Sequence, residues 1–265
     1  MRADADQLRT RLLRMLPEIP SPPSLDVHPQ IGLLLVAART AFSGGFQQAL
    51  SAPRNALSKL LGDMPADRRG FALEGAAMAV VLMDEFSCAR QQLLVALLAD
   101  RPVAEKILGA VGVGWASARL DRPPAWLPPE FDPQYAHAVM DGYGFHQGFF
   151  HSDRFMGRGF PRVKGELSCS YDLGLGRALW FVHRGHLNAI AGAIDSMPPD
   201  RHKQLWRGVG TACSFTGSSQ YETELVGIAT KFTPHFRVGL ERGTRLLRAL
   251  TQTTEENPLW IEEIF

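Results

Sequence analysis

The chain has 265 residues, of which 45% are hydrophobic and 21% are charged, and its formal net charge is +1. This composition is typical of a folded globular protein and argues against a disordered or polyanion-binding chain, so we expect no nucleic-acid partner. The length allows one large domain that encloses a pocket.

The three cysteines are widely spaced and lie in apolar surroundings: Cys88, Cys169 and Cys213. This pattern predicts neither a disulfide framework nor a metal site, and we expect a cytoplasmic protein without metal or cofactor. Residues 1–16 carry charges of both signs and lack the apolar core of a secretory signal. The longest apolar runs are about half as long as a membrane span, so we expect none.

Residues 1–30 are predicted to form an N-terminal helical arm that ends in a proline-rich segment. We expect residues 31–265 to form a single α-helical domain. Helical patterns cover 30–50, 67–86, 91–99 and 103–120, and a proline-rich stretch then places a boundary near 121–133. Glu74 lies among apolar neighbours, where it is either an exposed acid at a helix start or a buried acid with a raised pKa.

Helical spacing continues beyond the boundary in 133–151, 171–184, 187–196, 201–217, 222–230 and 237–251, with a glycine-rich basic loop at 152–164. Strand-like alternation with hairpin turns is absent from all of these segments. The sequence therefore predicts an all-α fold.

A small-x-small pattern recurs along the chain and is predicted at the mouths of helices. It occurs in Glu74-Gly-Ala-Ala-Met-Ala, Val111-Gly-Val-Gly-Trp-Ala, Asp141-Gly-Tyr-Gly-Phe-His, Leu173-Gly-Leu-Gly-Arg-Ala and Arg207-Gly-Val-Gly-Thr-Ala, and more weakly in Ser43-Gly-Gly-Phe-Gln. No strand precedes these glycines, as a dinucleotide fingerprint would require, so we interpret them as points of close helix packing.

The spacing of this pattern predicts about six helical hairpins. The register residues Gly45, Ala77 and Gly114 map onto Gly144, Gly176 and Gly210 with offsets of 99, 99 and 96 residues. We therefore expect a duplicated three-hairpin unit, over about 38–120 and 133–217, followed by C-terminal helices. Stacked hairpins of this kind form a helical repeat or a toroid-like ring.

The order of these motifs resembles the bacterial domain-of-unknown-function 1702 family. The resemblance runs from about residue 42 to about residue 248, and Asp141-Gly-Tyr-Gly-Phe-His is its most distinctive block. It implies a role in secondary-metabolite gene clusters, including those for enediyne polyketides, but it implies no particular reaction. Gln147 stands where the family usually has glutamate, which removes one carboxylate beside His146.

Candidate chemistry centres on residues 141–152, where histidines, a carboxylate and aromatic rings lie between glycines. We expect His146 to act as acid or base inside a cavity, since imidazole titrates near neutral pH. Asp141 and Glu74 are its candidate carboxylate partners and Tyr143 a hydrogen-bond donor. Arg177 is the candidate charge partner of either acid, and a purely structural ion pair is the alternative.

We further predict a substrate-binding set: Trp115, Phe145, Gln147, Phe150, His151 and Trp180. The tryptophans fit a hydrophobic core equally well. His146 and His151 are five residues apart, which suits shared metal ligation poorly, so no metal site is predicted.

These observations favour a biosynthetic enzyme that performs cofactor-free acid–base or cyclisation chemistry, of an isomerase or cyclase type, on an apolar intermediate. The polyene-like nature of that intermediate rests on the family resemblance. The alternative is a non-catalytic helical scaffold that binds a polyketide synthase or its product. A pathway-enzyme partner and a homodimer are both compatible with the sequence.

Overall fold

The computed structural model describes residues 2–15, 29–87, 92–122, 127–128, 131–157, 159–218 and 233–251. These ranges contain the α-helices α1 (Arg2–Leu13), α2 (Pro29–Ser51), α3 (Ala66–Phe86), α4 (Leu93–Leu98), α5 (Val103–Arg119), α6 (Ala136–Phe150), α7 (Ser168–Val182), α8 (Leu187–Asp195), α9 (His202–Phe215) and α10 (Thr233–Thr251). Short 3-10 helices lie at Arg54–Lys59, Pro133–Tyr135, Ser152–Met156 and Pro199–Arg201. No strand occurs in the described ranges, and the predicted all-α class is confirmed.

Seven of these helices form a series in which each one packs against the next: α2, α3, α5, α6, α7, α9 and α10. Neighbours run parallel. Arg69 pairs with Glu105 near the starts of α3 and α5, and Arg122 pairs with Glu85 where the same two helices end. The chain must therefore return between successive long helices, and α4 and α8 lie in two of these returns.

Adjacent long helices cross with their backbones in contact. At the α2/α3 crossing, a Cβ on Gly45 would lie 1.9 Å from the carbonyl oxygen of Ala72, and one on Gly75 would lie 2.0 Å from that of Phe42. The same reciprocal contact recurs along the series, in the pairs Gly114/Gly142, Gly144/Gly174, Gly176/Gly208 and Gly210/Gly239. Each of these glycines lies against the carbonyl oxygen three residues before its partner. Such spacing allows weak Cα–H···O contacts and leaves no room for a side chain.

The series curves back on itself. Helix α10, the last of the series, contacts α3 and α5. Two ion pairs also join helices that are not neighbours, Arg177 on α7 with Glu74 on α3, and Arg242 on α10 with Asp141 on α6. The long helices therefore share one interior, and the ion pairs lie within it.

The N-terminal helix packs against the body of the protein. Leu12 is completely buried, and the guanidinium of Arg11 lies 4.8 Å from the ring centroid of Phe86 at the end of α3. The helical part of the predicted arm is therefore present as α1. The proline-rich part and the helix predicted at 222–230 lie outside the described residues.

A buried arginine ties the α8–α9 region to α7. Arg201 donates to Asp172 with Nε and Nη2, the latter at 2.5 Å, and its Nη1 donates to the carbonyl oxygen of Phe160. Its exposed fraction is 4%. By contrast, the nearby pair of Arg162 and Asp200 is open to solvent.

The structure corrects one detail of the predicted repeat. The small-x-small motifs lie in the middle of the long helices, and not at their mouths, because a crossing needs helical turns on both sides to bury apolar surface.

The α5/α6 crossing, which would join the two predicted halves, is built from Gly114 and Gly142 like its neighbours. The internal duplication itself stays a prediction.

Candidate functional site

A pocket opens between five of the long helices. Its volume is about 500 Å³, part of which is open to solvent. It is lined by Ala38, Arg39, Phe42 and Ser43 of α2, Phe71 and Glu74 of α3, Trp115 of α5, Phe145, Phe149 and Phe150 of α6, and Arg177 and Phe181 of α7. Most of its lining is aromatic, as in many sites that bind apolar small molecules.

The aromatic rings form a continuous wall. The ring centroid of Trp115 lies 4.7 Å from that of Phe42 and 4.9 Å from that of Phe145, and Phe181 lies 5.3 Å from Phe145 and 6.4 Å from Phe71. The edges and faces of these rings suit a flat, apolar ligand.

The crossing glycines explain why these residues face the interior. In an α-helix, two residues that are two positions apart point to nearly opposite sides, about 200° apart, so the two small residues of each motif face the two neighbouring helices. The residue just before the motif and the residue just after it are four positions apart, so they lie on the same face of the helix. That face points between the two neighbouring helices, towards the interior. Glu74, Asp141, Trp115, Phe145 and Arg177 all occupy these two positions.

A cluster of four charges, three of them buried, lies at this level. Nη1 of Arg177 donates to Oδ1 of Asp141 at 2.9 Å, and its Nη2 donates to Oε1 of Glu74 at 3.3 Å. Nη2 of Arg242 donates to the other oxygen of Asp141 at 3.2 Å. The exposed fractions of Glu74, Asp141 and Arg177 are 2%, 1% and 5%. Asp141 is thus held between two guanidinium groups, whereas Glu74 has one.

Glu74 is the member of this cluster whose pKa is shifted towards neutral pH. Burial raises the pKa of its carboxyl group to about 7, although Arg177 opposes the shift. Asp141, a second negative charge nearby, adds to the rise. The indole N–H of Trp115 helps to lower this pKa, yet it makes no hydrogen bond of normal geometry to any described residue. The sequence left two alternatives for Glu74, an exposed acid at a helix start or a buried acid with a raised pKa. In the structure Glu74 is the buried acid.

The charge partner expected for the acids is also in place. Burial lowers the pKa of Arg177, but Asp141 and Glu74 outweigh burial and hold that pKa above its ordinary value. An arginine that stays charged in this position fixes both carboxylates.

The structure brings together one part of the predicted site. Glu74, Arg177, Trp115, Phe145 and Phe150 line the pocket. Asp141 lies directly behind Arg177, to which it is bonded.

Other members of the predicted site lie elsewhere. Tyr143 is the middle residue of its small-x-small motif, and it therefore points away from the interior. It is half-buried beside Tyr171, with 6.3 Å between ring centroids. Gln147 and His151 follow it at four-residue intervals on the same face of α6. None of these residues lines the pocket, and nor does Trp180, whose Nε1 donates to the Thr216 hydroxyl in the core.

His146 lies behind the aromatic wall. Its ring centroid is 5.8 Å from that of Trp115 and 4.7 Å from that of Phe150, and it does not line the pocket. Burial lowers its pKa to about 3, with Arg119 and His151 contributing. Its buried Nδ1 has no hydrogen-bond partner in the described part of the chain. The imidazole is therefore neutral near pH 7, and its catalytic role stays a prediction.

Several pocket residues were not found from the sequence. Phe71 precedes a crossing motif by four residues, and Phe149 and Phe181 lie one further turn along the interior face, so the same register could have found them. Helix α2 contributes Arg39 and Phe42, and its motif is too weak to give a register.

The described residues contain no group of three or more histidine, cysteine, aspartate or glutamate side chains placed to hold a metal ion. Among the described helices, none has both the length and the apolarity needed to cross a membrane.

Comparison with known proteins agrees with the resemblance drawn from the motifs. A family model described as "Protein of unknown function (DUF1702)" matches residues 26–255, which include the glycine crossings and the pocket residues. No curated protein matches the chain. No solved structure matches it either. Since the family model covers most of its length, the chain belongs to the DUF1702 family.

Proposed function

We propose that this protein is a biosynthetic enzyme of a bacterial natural-product pathway, of the enediyne or polyene polyketide kind, which moves a proton on an apolar, conjugated intermediate. The observation that carries the proposal is Glu74, a carboxyl group with a pKa of about 7 that lines an aromatic pocket. The pathway assignment rests on the family resemblance.

The lining of the pocket supports an apolar, flat substrate. Phe42, Phe145 and Phe181 present ring faces and edges that can stack on a conjugated chain. Displacement of water by these rings strengthens each electrostatic interaction inside the pocket. A ligand would therefore be bound by burial, with few polar contacts to orient it.

Glu74 is suited to take up a proton and return it. A group with a pKa near the working pH is populated in both forms, which is the condition for efficient general acid–base catalysis. In the proposed reaction, its carboxylate removes a proton from a carbon next to the conjugated system and returns it at another carbon. The double bonds shift or a ring closes, and the product is an isomer of the substrate.

Two neighbours support this step. Arg177 bonds to Glu74 and stabilises its carboxylate form, and Asp141 fixes Arg177 in turn. The indole N–H of Trp115 acts on the same carboxyl group, since it helps to lower the pKa of Glu74 and so favours the carboxylate form.

A binding protein without catalysis is the second candidate. The observation that favours it is the pairing within the cluster, where Glu74 and Asp141 are matched by Arg177 and Arg242. Buried networks of this kind also occur as purely structural features. In that role the pocket would hold an intermediate or product for a synthase.

Complementation of a deletion strain separates the two candidates. We expect Glu74→Gln to fold and to lower product formation by roughly 10²–10⁴-fold, the usual cost of losing a positioned acid or base. The matched control is Glu105→Gln, since Glu105 is also a buried acid paired with two arginines but does not line the pocket. Soluble protein is measured for each variant.

The outcomes are distinct. Full output from folded Glu74→Gln protein would refute the catalytic role. If Ser43→Trp, which fills the pocket, then still abolished output, the binding role would stand.

His146→Gln belongs in the same series, because the glutamine amide can form hydrogen bonds but cannot titrate. Loss of output from that variant alone would move the proton-transfer role from Glu74 to His146.

A further inference from the structure

Besides Glu74 and Arg177, the pocket is lined by a third charged side chain, which is not part of the acid–base cluster. Arg39 on α2 is half-buried and lines the pocket. None of the described acidic side chains pairs with it. Arg39 therefore lines the pocket without a counter-charge from the part of the chain that the structure describes.

A second arginine lies near α2, the helix that carries Arg39. Arg184 lies in the turn after α7, three residues beyond Phe181 of the pocket wall, and its backbone adopts the left-handed region with φ of 50°. The next residue packs on α2, since a Cβ on Gly185 would lie 3.1 Å from a side-chain carbon of Ile31. This contact brings the end of α7 against the helix that carries Arg39. None of the described acidic side chains pairs with Arg184 either.

The two arginines repel each other. Burial and the positive charge of Arg184 together lower the pKa of Arg39 below its ordinary value. Two like charges near an apolar cavity are stabilised when an anion binds between them.

We infer that the ligand of this pocket is an amphiphile whose anionic head group, a carboxylate or a phosphate, is held by Arg39 and Arg184 while its apolar chain lies along the aromatic wall. The inference rests on the proposed function, since it assigns the head group of the same substrate. Guanidinium groups bind both kinds of anion in bidentate fashion. A head group fixed at α2 would direct the chain towards Glu74.

Binding of a fluorescent polyene fatty acid, cis-parinaric acid, and of its uncharged methyl ester tests the inference on the full-length protein. We expect the wild type to bind the acid at least tenfold more tightly than the ester, because a charge-assisted hydrogen bond is lost in the ester. Arg39→Gln should remove this preference, which is measured as the ratio of acid affinity to ester affinity. Arg68→Gln is the control, since it removes the same charge from an exposed position.

The results separate the head group from the pocket. Equal binding of acid and ester by the wild type would overturn the inference but leave the apolar pocket in place. A preference for the acid that survives in the Arg39→Gln, Arg184→Gln double variant would also overturn it. If neither probe bound, the proposed function would fail together with the inference. Displacement of the acid by dodecanoate or dodecyl phosphate, but not by dodecanol, would support the inference and identify the head group.

Discussion

Gly44 and Gly45 are adjacent on α2 but have opposite surroundings, which makes them a matched test of the helix crossings. A Cβ on Gly44 would meet no atom within 4 Å. One on Gly45 would lie 1.9 Å from the carbonyl oxygen of Ala72 and 2.7 Å from its Cα. Alanine at the first position therefore changes only the helix, whereas alanine at the second pushes against the backbone of α3.

The two substitutions should shift stability in opposite directions. Glycine to alanine within a helix stabilises by about 0.5–1 kcal/mol, and Gly44→Ala should gain this amount. Gly45→Ala gains the same, but α2 and α3 must separate by about 1 Å before the new Cβ is at a normal distance. Overpacking of this kind costs about 1–3 kcal/mol or more, and the weak Cα–H···O contacts are lost as well. We expect a net destabilisation of about 2 kcal/mol.

Thermal unfolding followed by circular dichroism measures the difference. In a chain of this size, each kcal/mol moves the Tm by about 2–4 °C, so Gly45→Ala should melt about 4–8 °C below the wild type and Gly44→Ala about 1–4 °C above it. Equal shifts in the two variants, or a Gly45→Ala protein as stable as the wild type, would show that the crossing is not a site of backbone contact.

Three further results are expected. Between about pH 4.5 and 7, Glu74 is protonated in the folded state but ionised in the unfolded state. The protonated carboxyl group therefore stabilises the folded state in full below pH 4.5, and this contribution falls by about 3 kcal/mol as the pH rises to 7. Urea unfolding across this range should show that fall in the wild type, and Glu74→Gln should lack it. Arg201→Met removes the partner of the Asp172 carboxylate, whose side chain is only 13% exposed, and should cost about 3 kcal/mol. Arg162→Met, at an exposed pair, should cost at most about 1 kcal/mol, and similar urea midpoints for the two variants would contradict this. In native protein, a thiol reagent should label Cys169, which is exposed, but not buried Cys213, and peptide mapping that found both labelled would contradict the packing of α9.

The sequence identified three of the four members of the acid–base cluster, because these three adjoin the repeated motif. Glu74 and Asp141 precede their small-x-small motifs, and Arg177 follows one. A buried arginine needs acidic partners, so the pairing of Arg177 with these acids could be expected without coordinates. Arg242 was missed because α10 carries glycines four apart, at Gly239 and Gly243, and does not repeat the motif.

The block around His146 shows why composition alone overestimates a site. Residues 141–152 were treated as one group, yet an α-helix distributes consecutive residues over all of its faces. Asp141 and Phe145 face the interior, while Tyr143 and Gln147 face outwards and His146 lies behind the aromatic wall. Residues that are adjacent in the sequence were therefore assigned to one site, although the helix places their side chains on different faces.

The sequence by itself determined the all-α class, the family and the positions where helices cross, because these depend on local periodicity and on residues too small to keep backbones apart. Tertiary structure alone decided which faces of the helices meet across the interior. Glu74 and Arg177 are 103 residues apart, and their 3.3 Å contact exists only because the series of helices curves back on itself. The pKa of about 7 at Glu74 has the same origin, since desolvation depends on every helix that excludes water from that carboxyl group.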